Sequence, residues 1–354
     1  MQQPTVIVGG GLAGVCAALA LSREAPLLLA DIPTAEGASR NAVAGLAHPV
    51  MSIRASVVWK GAEALDSLDR LALAIGAAPL QTGVIRPAKS WDQVDAFRTR
   101  VEKSPELARF HTPAASSSAW PWLRSPMGTL EMLRGGSYDI PNLLDLALTE
   151  LQDRGASIRA DWKLAGWKEE PDGVQATFDA PDGRHVVRCG LLVLAMGAGI
   201  TQFPETSSLR LHPIKGQLIR VRAETPAGLL PVSGLGYVVQ SGRDVVIGST
   251  YEHSFQHAAP VPEDAVALLD RAVDHLPWLR GAEVLEHRAG VRVTVPGTRL
   301  PMVGPLPGHT KTWIISGLGS RGLLMAPWIA ESLAGWFSDP SSAPRELAIK
   351  LDAR

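Results

Sequence analysis

Four glycines and one aspartate carry the first chemistry in this chain. In TVIVGGGLAGVCAALAL, residues 5–21, Val6, Ile7 and Val8 run into Gly9, Gly10, Gly11 and Gly14, and an alanine-rich helical pattern follows. That order is strand, tight turn, helix. It lets backbone approach a pyrophosphate while the helix N-terminus points free N–H groups and its positive dipole end at the charge. Asp31 lies twenty residues beyond Gly11, ending the apolar run APLLLAD, where a carboxylate accepts hydrogen bonds from ribose hydroxyls. Gly9, Gly11, Gly14 and Asp31 together predict a dinucleotide site.

The elements that must hold these residues read as an α/β pattern interrupted by β structure. Leu27–Ala30 is a second buried strand. IPTAEGASRNAVAGLAHP reads as an ordered loop leading into a helix near Ser52 to Ile75. Residues 86–134 carry Arg86, Lys89, Arg98, Arg100 and Lys103 and then TPAASSSAWPWLRSP, an excursion from the nucleotide core whose basic residues read first as a solvated helix face. Pro141 starts a helix that Gly155 stops. Residues 174–194 hold two strands around PDG, the second ending in LLVLAMGAG. From 211 to 300 the pattern is mostly β, with one helix near Pro262 to Leu276, and TWIISGLGSRGLLMAPWIAESLAGWF is again strand, glycine loop and helix. The reading is α/β (α+β overall): a Rossmann-like domain from 1–85, 135–210 and 300–354, and a mostly antiparallel sheet domain from 86–134 and 211–299.

The 354 residues suit two domains. With 34 basic and 35 acidic residues the net charge is -1, which supplies no global field for nucleic acid or an anionic membrane. Cys16 and Cys189 stand far apart in apolar contexts, without metal-ligand spacing, and read as buried small hydrophobes. The first apolar stretch lacks a basic leader and is broken by glycines. No run reaches the roughly 18 apolar residues of a membrane span. A cytoplasmic protein with no membrane partner is expected.

Seven segments in this order, VIVGGGLAGVCAALAL, GASRNAVAGLAHP, LLVLAMGAG, HPIKGQLIRV, GYVVQSGRDVVIGSTYE, AGVRVTVPGTRLPMVGP and GLGSRGLLMAP, resemble the FAD-dependent D-amino-acid oxidase and glycine oxidase superfamily. GASRNAVAGLAHPV and GLGSRGL…AP look closest to the FAD-dependent half of the bifunctional tRNA 5-methylaminomethyl-2-thiouridine biosynthesis proteins. The resemblance implies FAD, with Gly9, Gly11, Leu12, Ala13 and Gly14 at the pyrophosphate and Asp31 at the adenosine ribose. It places Ala38 and Ser39 along the phosphates and flavin, Leu164 near adenine and Gly197 against the cofactor through its backbone. Gly319, Ser320, Arg321, Gly322 and Leu323 would lie under the flavin. There a helix N-terminus and a nearby guanidinium favour negative charge developing on the ring.

On the substrate side, Arg292 resembles the arginine that binds the substrate carboxylate, a role suited to a bidentate guanidinium; an arginine on an alternating strand can equally face solvent. Tyr237 matches an active-site tyrosine, Tyr251 follows one strand later, and either ring can instead be structural. His48 could face the flavin, although nothing pairs it with a base or metal. The implied reaction is oxidation of a carboxylate-bearing amine by hydride transfer to flavin N5, imine hydrolysis and reoxidation by oxygen, with orientation and cofactor doing most of the work. Two departures weaken simple glycine or sarcosine specificity: Arg299 replaces the family's acidic residue in GTRLP, and the second substrate arginine falls at Ser320, with Arg321 one place on. The expected substrate is therefore an N-substituted glycine, including the carboxymethylaminomethyl group of a tRNA wobble uridine. A small-molecule glycine, sarcosine or D-amino-acid oxidase is the alternative, and a non-catalytic flavin-binding module is the third reading. A tRNA substrate needs several phosphate contacts, for which Arg86 to Lys103 is the sequence candidate.

Overall fold

A computed structural model describes residues 3–23, 26–31 and 37–352. Its first layer is a six-stranded sheet in the order Met302–Pro305, Thr312–Ser316, Leu191–Leu194, Thr5–Val8, Leu27–Ala30, Ser157–Arg159. All pairings are parallel except that of the first edge strand. The helix Leu12–Leu21, almost uniformly apolar, lies buried on this sheet and against the helix Gly322–Ser338, which itself packs on the strand Thr312–Ser316. Parallel strands covered in this way read as unbroken apolar runs rather than alternations, as TVIV and LLVL do.

The second large sheet has nine strands. Glu283–Thr294, His212–Arg222, Asp244–Gly248, Tyr237–Ser241, Val232–Ser233, Gln81–Pro87, Thr129–Asp139 and Ala44–Ala47 follow one another across it, and Ala108–His111 pairs onto Thr129–Asp139. A smaller antiparallel sheet, Lys163–Glu170, Gly173–Ala180 and Gly183–Cys189, covers the first layer near Asp31. The arrangement is the mixed α/β architecture expected, with the Rossmann-like sheet built from segments at both ends of the chain.

Several local expectations are corrected. The helix expected from Ser52 to Ile75 runs Gly61–Ala74. The residues before it form a hairpin, Val50–Met51 with Ser56–Val57, closed by Ala55 N–H donating to Ser52 O at 3.2 Å with Ser52 and Ala55 at positive φ. Residues 174–194 hold three strands rather than two, because the chain passes at Gly190 from the small sheet into the six-stranded one. The loop expected after Asp31 contains the one-turn helix Ala38–Asn41 and the strand Ala44–Ala47, while its residues 32–36 lie outside the described residues. Cys16 and Cys189 are free and buried, and burial pushes both thiols up to about 12. Among the described residues no helix is long and apolar enough to cross a membrane.

Candidate functional site

The glycine loop sits where strand ends meet. A Cβ on Gly9, whose φ is +112°, would stand 2.4 Å from Ala195 O, and one on Gly14 would stand 1.7 Å from Gly9 O. Both obstacles are backbone, so the turn admits only glycine. Gly11 caps the helix Leu12–Leu21 with no side-chain hydrogen bond, which leaves the first-turn N–H groups, including those of Leu12 and Ala13, available to an anion. Among the described residues a side chain reaches them only through a long contact, Leu12 N–H to Ser39 Oγ at 3.4 Å. Asp31 stands beside this terminus and accepts the Gly10 N–H at Oδ1, 2.7 Å.

The C-terminal loop closes on the same place. Gly322 lies under the Leu12 side chain, where a Cβ would stand 3.7 Å from Leu12 Cδ1, and Leu323 is buried against Gly45. Gly319, at φ +55°, tucks beneath Thr294. Gly197, also at φ +55°, opens a short helical turn with free space where a side chain would project. Leu164 is buried with Val6, Val8 and Ala30 behind Asp31, which leaves its backbone rather than its side chain to meet a ligand.

The nine-stranded sheet presents the other half. Register places Arg292, Gly290, Gly216, Leu218, Gly248 and Tyr237 on one face. Three of these glycines are space rather than flexibility. A Cβ on Gly216 would meet Arg292 Nη2 at 1.7 Å, one on Gly248 would meet the Tyr237 ring at 3.0 Å, and one on Gly290 would meet Ala38 Cα at 3.0 Å. The face is thus carved to accept a guanidinium, a phenol and the one-turn helix carrying Ala38 and Ser39. Arg292 donates from Nη2 to Thr250 O at 2.7 Å, and its guanidinium lies 4.4 Å from the centre of the Tyr251 ring. Burial pushes the Tyr237 hydroxyl up to about 12, against the opposing pull of Arg292.

Arg321, not Ser320, joins this group. Ser320 is exposed, whereas Arg321 donates to Arg299 O at 2.8 Å. Burial lowers its pKa, as does the neighbouring Arg299 charge, and Tyr251 acts in the opposite sense. No carboxylate partners Arg292, Arg299 or Arg321 among the described residues.

Beneath Arg292 runs a polar layer that the sequence pattern did not assign. Alternation in Lys215-Gly216-Gln217 sends the two polar side chains to the opposite face from Gly216. Lys215 is 1% exposed and meets Glu252 at 3.3 Å. Gln217 donates to Glu252 Oε1 at 2.7 Å and to Asp264, and accepts the Val261 N–H at 2.7 Å. Thr250 Oγ donates to Glu252 at 2.9 Å and accepts the Gln217 N–H at 2.9 Å. This layer fixes Thr250-Tyr251-Glu252, the segment that holds Arg292 from below. The K-G-Q alternation is its only sequence signal.

His48 is buried just beyond the end of the strand Ala44–Ala47. Burial, aided by the Arg86 charge and opposed by a backbone hydrogen bond at Val50, pushes its pKa down to about 4. Arg86 is itself buried, bound to Ser52 O at 2.5 Å and stacked over Phe97. No contact joins His48 to Arg292 or Tyr237. The helix Trp91–Lys103 carries Asp92, Asp95 and Glu102 as well as Arg98, Arg100 and Lys103, so its formal charges cancel.

A glycine cradle suited to a diphosphate, with a carboxylate at the end of the next strand and a cation-bearing sheet face opposite it, is the layout of a dinucleotide-binding protein. The chain belongs to the DAO family of FAD dependent oxidoreductases, whose model matches residues 5–336, and the cradle fits that family's FAD. It is 28% identical over 389 residues to the tRNA 5-methylaminomethyl-2-thiouridine biosynthesis bifunctional protein MnmC of an Azoarcus species, covering 99% of this chain and 59% of that protein. It is 33% identical over 175 residues to glycine oxidase of Pseudomonas putida, covering 48% of this chain and 47% of that enzyme. The matches therefore span 59% of the first and 47% of the second of these curated relatives. Among solved structures it shares its fold with glycine oxidase from Bacillus cereus, with TM-score 0.82, 21% identity and coverage of 100% and 99%. The iminodiacetate oxidase of a Chelativorans species gives the same score and identity over 99% and 100%.

Proposed function

We propose that this protein oxidises a primary or secondary amine that carries a carboxylate on the neighbouring carbon, with N-carboxymethyl amines as the preferred class. The observation that carries this reading is Arg292, seated in the Gly216 hollow, capped by Tyr251 and without a protein carboxylate, on the sheet face packed against the cofactor loop. FAD, when bound, would supply the acceptor for the hydride that carries both electrons away from the substrate carbon. Arg292 anchors the carboxylate through the donors that Thr250 leaves free, which fixes the adjacent C–H. Tyr237 stays protonated across the working range and offers a hydroxyl, not a base. Arg299 and Arg321 extend the positive rim and favour an amine with a second anionic group.

No side chain of this group serves as a base near neutrality, so the amine enters as its free base and water hydrolyses the imine product. The test is anaerobic bleaching of the bound flavin, followed by peroxide release in air, with glycine, sarcosine and iminodiacetate. Bleaching by iminodiacetate or sarcosine supports the reading. An unchanged flavin with every amine, including a free carboxymethylaminomethyl nucleoside, refutes it. A second reading, in which the amine is carried on a tRNA wobble uridine, is favoured by the similarity to the tRNA-modifying relatives along the whole chain; turnover of modified tRNA but not of its nucleoside selects it.

A further inference from the structure

Asp31 is the residue expected to receive the cofactor's ribose hydroxyls, yet both its oxygens are engaged. Oδ1 accepts the Gly10 N–H, and Oδ2 accepts Arg40 Nη2 at 2.5 Å. The same Arg40 nitrogen donates to Gly10 O at 3.2 Å, and a Cβ on Gly10 would stand 2.8 Å from it. The guanidinium therefore lies across the glycine loop at the start of the helix Leu12–Leu21. It reaches there from the one-turn helix Ala38–Asn41, whose Ser39 Oγ meets that helix's first N–H. Arg40 keeps 28% of its side chain exposed, against 13% for Asp31, so it can pivot while the carboxylate cannot.

We infer that Arg40 is a diphosphate clamp: paired with Asp31 as it stands here, it transfers to the cofactor's phosphates when the ribose claims the carboxylate. The chemistry favours this exchange. A guanidinium is weakly hydrated and matches two phosphate oxygens in its planar fork, and the helix N-terminus beside it draws the same charge. Asp31 gives up one charged partner and gains hydroxyl donors, while Arg40 exchanges one anion for another. No buried charge is stranded on either side of the exchange. The opposing possibility is that Arg40 only occupies Asp31 and competes with the ribose, and the two roles differ in sign.

The full-length holoprotein decides between them. FAD release after dilution is followed by recovery of flavin fluorescence, in about 0.05 and about 0.5 M KCl, concentrations that bracket strong and weak electrostatic interaction. Arg40→Met is expected to speed release about 10- to 100-fold, the loss of charged hydrogen bonds, and to abolish the acceleration by KCl seen in the parent. Arg40→Lys is expected to retain the salt dependence and part of the affinity. The faster FAD release caused by Arg40→Met should persist when that substitution is placed in an Asp31→Asn background, because a clamp acts on the phosphates and not on Asp31. Release that is unchanged or slower in Arg40→Met, or an effect that vanishes in the Asp31→Asn background, overturns the clamp.

Discussion

Arg292 is the residue on which the proposed chemistry can be tested most sharply. Arg292→Met keeps most of the side chain's length and its packing in the hollow above Gly216 while removing the fork. One nitrogen of that fork is committed to Thr250 O, which leaves a carboxylate two charge-assisted hydrogen bonds. At about 1.5–3 kcal/mol each, their loss amounts to about 3–6 kcal/mol, or roughly two to four decades in kcat/KM. The effect should depend on the substrate's charge. Glycine or sarcosine should lose those decades, whereas glycinamide, which has no carboxylate to anchor, should lose less than about one decade. Arg292→Lys should recover only part, since an ammonium cannot reproduce the fork. The assay is the anaerobic rate of flavin bleaching against amine concentration, with bound FAD measured by absorbance in every variant. Equal losses for glycine and glycinamide would refute carboxylate anchoring and assign Arg292 to holding Tyr251 and Thr250 in place. No loss for either would remove it from the site.

Three further outcomes follow from the same geometry. Gly14→Ala forces a Cβ to 1.7 Å from Gly9 O, an obstacle that no side-chain rotation relieves; it should cost at least about 1–3 kcal/mol, read as a lower Tm and reduced FAD content. Glu252→Gln should destabilise more than Lys215→Met. The first strands a cation that is 1% exposed, while the second leaves a carboxylate that is 24% exposed and able to hydrate, and urea midpoints give the order. Third, His48 has a folded pKa of about 4, below its ordinary 6.5, so the unfolded chain takes up its proton first as pH falls. Its contribution is fully present above pH 6.5 and is lost between there and about 4, for a total of about 3 kcal/mol. His48→Gln should flatten the denaturation midpoint across that window, and an unaltered slope would contradict the buried neutral imidazole.

Much of the cofactor half was legible because its requirements are local. The turn at Gly9 to Gly14 needs positive φ and missing side chains within six consecutive residues, and Asp31 follows at the end of the next parallel strand, so one short stretch states the whole constraint. The hairpin at Val50–Val57 was not legible for the opposite reason. Its pattern of alternating apolar residues is too short to separate a strand pair from the first turn of a helix, and the deciding facts are the positive φ of Ser52 and Ala55. The break at Gly190 was likewise hidden, since a single glycine marks equally a bulge and a crossing between sheets.

The substrate half depends on register, which no short window contains. Arg292, Gly216 and Gly248 lie on three neighbouring strands drawn from residues spread over 212–294, and only their alignment turns two glycines into hollows for a guanidinium and a phenol. The family resemblance supplied Arg292 and Tyr237 as names without that reason. Where the family carries a second substrate arginine this chain has Ser320 with Arg321 one place on, and a one-residue offset around a short helical turn redirects a side chain by about 100–120°. The displaced guanidinium reaches Arg299 O and the Tyr251 neighbourhood, so a second cation stands at the rim rather than beside Arg292. With a substrate carrying only one carboxylate, the Arg299 and Arg321 guanidinia at the rim would repel each other with no carboxylate between them. An amine with a further anionic group relieves that repulsion. Arg299→Gln should therefore raise the KM for iminodiacetate about 10-fold, the effect of one charged hydrogen bond, while leaving that for sarcosine within about twofold. Equal shifts for the two amines would locate Arg299 outside the substrate's reach.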